Sequence, residues 1–175
     1  MNRQTLLQSW DHLRQANGVG LRAIELIPEG KLDAEVIPGM RTPKQLVVHM
    51  YGQVLREVTE GALKGRITDE SEKNEKQIAA GLKTRADLLR YCHDCWNAAD
   101  RATQAMTDEK LVVMTNTPWG MSFPAFVAYT LIHDEYFHHR GQLHVYLREM
   151  GIAPPHLWSF KENAEAFRPE AESAA

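Results

Sequence analysis

The ten residues Asp134-Glu135-Tyr136-Phe137-His138-His139-Arg140-Gly141-Gln142-Leu143 set two histidines, two acids and an arginine inside an apolar helical pattern. Reading outward from them, Ala128, Ile132, Glu135, His139, Leu143, Tyr146 and Met150 recur at steps of three or four, which is one face of a long α-helix. Ser122 is the predicted N-cap of this helix, and Gly151 with Pro154-Pro155 its predicted end. The face passes through Glu135 and His139, so both are expected to point inward. A buried carboxylate is costly unless it is paired, hydrogen-bonded or bound to a metal, and a partner is therefore required.

Three further helices are legible. Leu6, Trp10, Leu13, Leu21 and Ile24 mark a first one, bent or briefly broken at Asn17-Gly18-Val19-Gly20 and ended by Pro28-Glu-Gly30. Thr42-Pro43-Lys44-Gln45 has the form of a capping box with proline at the first helical position, and starts a second helix running from Pro43 to about Leu63. Residues 65–83 are polar and of mixed charge, as expected of a solvated crossover with a short helix inside it. Thr84-Arg-Ala-Asp87 predicts a capped start for helix three, whose seam is Leu88, Cys92, Cys95, Ala99, Ala102 and Met106. No segment alternates convincingly as a strand. The expected fold is therefore all-α, a four-helix bundle with a long crossover between helices two and three, forming one domain over residues 1–160, with a loosely ordered tail over 161–175.

Composition narrows the function. The 175 residues are 43% apolar and carry a net charge of -3, enough for a single core and without the basic footprint that selects nucleic acid. The longest apolar run, 121–132, falls short of the roughly 20 residues that span a bilayer, so no membrane partner is expected. Two cysteines and an N-terminus without secretory features fit a cytoplasmic protein. Cys92-x-x-Cys95 lies on the helix-three seam, where small core residues are the better reading than a redox pair or a zinc knuckle.

At i, i+4, Glu135 and His139 stack on one face and can hold one cation between them; a hydrogen-bonded pair is the other reading. His49, among Leu46, Val47, Val48 and Met50, is the candidate third ligand, or else a core histidine. Two histidines and a glutamate suit zinc or a similar divalent ion and leave a position open. His133, His144, His93 and His138 are expected at the surface or at boundaries. Arg140 is expected in a surface ion pair or orienting a ligand. Glu135-Tyr-Phe-His138 has the Glu-x-x-His form of a di-iron ligand pair, but no second copy exists.

The run His138-His139-Arg140-Gly141-Gln142-Leu143, followed by Val145-Tyr-Leu-Arg-Glu-Met-Gly151, resembles the last helix of the DinB-like superfamily of metal-dependent enzymes, which includes YfiT-like proteins and certain bacillithiol and mycothiol transferases. Pro38-Gly-Met-Arg-Thr-Pro-Lys-Gln-Leu-Val-Val-His49 resembles that family's entry into helix two with its metal histidine. The resemblance implies a four-helix bundle of up-down-down-up connectivity, often a homodimer, with a nickel or zinc ion held by three histidines. It places His49 and His139 as ligands and puts Glu135 where the family has its third histidine. Two functions follow as expectations. One is a metal-dependent hydrolase or thiol-dependent S-transferase acting on a small-molecule or thiol substrate, with His49, Glu135 and His139 on the metal and Gln53, Arg140 and Gln142 orienting substrate. The other is a non-catalytic, stress-associated binding or dimerisation bundle with a degenerate or empty metal site. Substrate contacts are expected from the bundle mouth and from loops such as 116–122.

Overall fold

The computed structural model describes residues 1–159; the tail expected over 161–175 lies outside them. Four long helical runs build the core. The first, α1 (Arg3–Glu25), is capped by Asn2, whose side chain accepts from Thr5 N–H. A single turn of 3-10 helix (Glu29–Lys31) follows. The second run joins α2 (Pro43–Val48), a π-helical stretch (His49–Glu57) and α3 (Val58–Lys64). The capping box read at its start is present, with Thr42 accepting from Gln45 N–H while the Gln45 side chain accepts from Thr42 N–H. Gly65, at φ 76°, ends it in the left-handed conformation glycine adopts without strain. The polar crossover holds two short helices, α4 (Glu70–Lys73) and α5 (Glu75–Gly81), where one was expected. Next comes α6 (Arg85–Gln104), capped by Thr84 and Asp87 as read, then the short α7 (Asp108–Leu111) and finally α8 (Ala125–Glu149).

Packing puts α1 against α6 and α8, and the second run against the same two helices. Consecutive helices one and two therefore face each other across the bundle rather than side by side. Their link is polar: Asn17 Oδ1 accepts from Tyr51 Oη at 2.6 Å and from Tyr136 Oη at 2.9 Å, all in the core. At one end Trp10 stacks on Trp96, with ring centroids 5.0 Å apart, and Tyr129 meets Trp10 edge-on. Cys92 and Cys95 are free thiols buried on the α6 seam, as the pattern indicated.

Two expectations are corrected. The first helix runs unbroken through 17–20. Of its two glycines there, Gly20 is a notch, because a Cβ on it would overlap Tyr136 Oη. The loop expected at 116–122 joins two short strands that the pattern did not show: β1 (Met114–Asn116) pairs antiparallel with β2 (Ser122–Pro124). Ser122 thus belongs to a strand rather than capping the last helix, which starts after Pro124 with no side-chain cap. Backbone bonds from Ile67 N–H to Asn116 O and from Asn116 N–H to Gly65 O pin this hairpin to the end of the second run. No helix among the described residues is long and apolar enough to cross a membrane.

Candidate metal centre

His49 opens the π-helical stretch, a wider winding that moves backbone and side chains off the ordinary helical register and recurs at functional sites. It faces α8, and its ring meets that of His139 edge-on at 4.8 Å between centroids. Glu135 Oε2 lies 3.3 Å from His139 Nε2. One donor atom from each of His49, Glu135 and His139 falls within 4.8 Å of the others. The three ligands read from the sequence are therefore brought together.

Their burial differs from the expectation for one of them. His139 is buried, but the Glu135 side chain is 55% exposed, reaching out of the seam toward the cleft. The seam bends here because Tyr136 rather than Glu135 fills the core position, held there by Asn17.

Protonation favours ligation. Burial above all, then Arg41 and His139, pulls the His49 pKa down to about 3. Burial also lowers that of His139, against the opposing pull of its Gln142 bond and of Glu135. Both rings are thus neutral at neutral pH, the form that binds metal. His139 Nδ1 lies 2.7 Å from Gln142 Oε1, and in this amide orientation it donates to that oxygen. The bond leaves the Nε2 lone pair facing the Glu135 carboxylate, so two acceptors meet there. His139 Nε2 and His49 Nδ1 are both buried without a hydrogen-bond partner. A cation is what this donor set fits.

The supporting residues were only partly visible in sequence. Gln142 bonds His139 and lies 3.2 Å from His138, so its amide orients the His139 ring. Gln53 is buried in the cleft; its Nε2 donates to Thr68 O, and its Oε1 has no partner. Arg140 is absent from the site. It stacks over Phe137 at 4.8 Å and reaches Ala16 O, because a position next to His139 lies about 100° further round the helix. Arg41 and Glu75 were missed. Arg41 Nε donates to Glu75 Oε2 at 2.8 Å, and that oxygen is 3.9 Å from His49 Nδ1. Arg41 precedes a capping box and Glu75 sits in a polar crossover, so neither gave a periodic signal.

A cleft of about 330 Å3 opens beside His49, Gln53 and Glu135. Val58, Ile67, Phe123 and Ile132 make its walls apolar, and Trp119 and Met121 from the hairpin stand half-exposed on its lining. The loop expected to contribute contacts is thus at the cleft.

The family model described as DinB family matches residues 1–170. The chain belongs to the DinB family. Three solved structures share its fold. A DinB-like protein of Bacillus subtilis, YjoA, is 19% identical with a TM-score of 0.68, over 86% of this chain and 96% of that one. A DinB-like protein of Bacillus cereus is 20% identical with a TM-score of 0.64, over 89% and 99%. A mycothiol-dependent maleylpyruvate isomerase is 16% identical with a TM-score of 0.65, over 82% of this chain and 63% of the longer isomerase. A search of curated proteins returned no match. At these identities the DinB-like neighbours establish the all-α fold, and the site must be argued from its own atoms.

Proposed function

We propose that this DinB-family chain is a divalent-metal-dependent enzyme, with zinc or nickel held by His49, Glu135 and His139, doing hydrolase or thiol-dependent S-transferase chemistry on a small molecule. The observation that carries this reading is the meeting of three donor atoms within 4.8 Å while two buried imidazole nitrogens lack a hydrogen-bond partner. An ion there supplies Lewis acidity to a water or thiol brought to its open position. The chain's own residues do the rest. Gln142 keeps the His139 lone pair directed at the site, the Oε1 of Gln53 stands ready to accept a hydrogen bond from a ligand, and the apolar walls exclude water from the reacting group. The mycothiol-dependent isomerase among the structural neighbours supports a thiol as one of the reactants. The same reading has the protein cytoplasmic and homodimeric; the dimer is checked by light scattering.

One observation favours a second reading. The 3.3 Å separation of Glu135 Oε2 and His139 Nε2 also suits a polar pair in a non-catalytic bundle, if the imidazole proton sits on Nε2. Metal content decides. After reconstitution with zinc or nickel, wild type is expected to hold one equivalent, His49→Ala and His139→Ala none, and Glu135→Ala to hold it more weakly. A wild type that takes up no stoichiometric metal sinks the enzyme reading.

A further inference from the structure

Arg140 does not serve the metal cleft, and the place it occupies has its own chemistry. Phe137, Arg140, Gly141, His144 and Arg148 recur at helical spacing on a face of α8 turned away from His49. With Pro154, Pro155 and the segment through Trp158 they line a second cleft of about 610 Å3, which shares no residue with the first. No carboxylate lines it among the described residues. Arg140 is half-buried, yet its hydrogen bond goes to the Ala16 carbonyl at 3.5 Å; Arg148, exposed at the cleft's edge, bonds the His144 carbonyl, and neither has an ion-pair partner among the described residues. His144 is 6% exposed, and its Nε2 is buried with no hydrogen-bond partner. Both arginines are close enough to His144 to lower its pKa, after the larger effect of burial.

A guanidinium taken partly out of water without a counter-charge is unfavourable, as is a buried ring nitrogen without a partner. An anion placed between Arg140, His144 and Arg148 relieves both, since guanidinium donors match a carboxylate in plane and spacing. Beside these cationic groups the cleft has apolar and aromatic ones: the Phe137 ring lies under Arg140, Pro155 is buried, and the Trp158 side chain is 69% exposed. Cationic donors set beside aromatic and apolar groups suit a small ligand that carries both an anion and a ring. We propose that this cleft binds a small aromatic carboxylate, its carboxylate held by Arg140, His144 and Arg148 and its ring lying between Phe137 and Trp158.

Gly141 allows a test that removes no charge. A Cβ built there meets nothing within 4 Å, so Gly141→Leu fills the cleft from its helical wall and replaces a poor helix former with a good one. Benzoate, titrated calorimetrically into the full chain, is expected to bind saturably at one site with a Kd of ~1 mM or tighter. Benzamide, the neutral isostere, and inorganic phosphate, an anion without a ring, are expected to bind roughly ten-fold more weakly or worse. Arg140→Met and Gly141→Leu should each weaken benzoate by roughly ten-fold or more, with Gly141→Leu melting no lower than wild type. His49→Ala should leave the benzoate affinity unchanged, which separates this site from the metal cleft. The proposal is overturned if benzoate does not saturate, if benzamide binds as well, if Gly141→Leu binds like wild type, or if His49→Ala abolishes binding.

Discussion

Asn17 Oδ1 accepts two phenolic hydrogens in the core, one from Tyr51 on the helical run across the bundle from α1 and one from Tyr136 on α8, which packs beside α1. The arrangement depends on Gly20, because Tyr136 Oη occupies the space its Cβ would need. Gly20→Ala is therefore expected to destabilise the fold by about 1–3 kcal/mol despite the better helix propensity of alanine. Removing the hydroxyl as well, in Gly20→Ala/Tyr136→Phe, should recover part of that loss, since the ring carbon is 3.5 Å from the same Cβ. Urea denaturation of the two single variants and the double variant measures this coupling, and strict additivity would contradict it. A second prediction at this scale concerns Gln142. With its amide gone, nothing sets the His139 tautomer, so Gln142→Leu is expected to lower metal affinity about 10–100-fold while leaving the circular dichroism spectrum unchanged. Chelator competition reads the affinity.

The elements show what local chemistry makes legible. Thr42-Pro-Lys-Gln45 and Thr84-Arg-Ala-Asp87 were readable as helix starts because a cap is a contact between residues three apart, and both form. Thr42→Ala should cost about 1 kcal/mol, seen as a lower urea midpoint with an unchanged slope. The seam of α8 correctly put His139 inside and brought Glu135 within reach of it, since periodicity reports which face an element turns. It overstated the burial of Glu135, because Tyr136 takes the adjacent core position through a partner on another helix. The π-helical winding at His49–Glu57, the pairing of 114–116 with 122–124, and the Arg41–Glu75 bridge beside His49 left no trace in spacing. The pairing and the bridge are contacts between segments, and a period measured along one segment cannot carry them.

For the molecule as a whole, buried histidines contribute to the response to acid. Burial first of all lowers the pKa of His49, to about 3, and lowers those of His133, His139 and His144. In the unfolded chain these rings titrate near the ordinary value of 6.5. Between the two limits the unfolded state binds more protons, so this contribution to stability is complete above 6.5 and is lost as pH falls toward 3. Urea midpoints of the metal-free protein at pH of about 7.5 and about 5 should show the decline, and His49→Gln should make it shallower. A flat profile over that range would contradict the assignment.

The two buried thiols of α6 give the molecule a built-in clock. Burial holds Cys95 up at about 11 and pushes Cys92 well above the ordinary thiol value, so neither presents a thiolate to a reagent while the core is closed. With no other cysteine in the chain, labelling by a disulfide reagent under native conditions counts openings of the bundle itself, and a bound metal or carboxylate that steadies the closed state slows the count in proportion to its own occupancy.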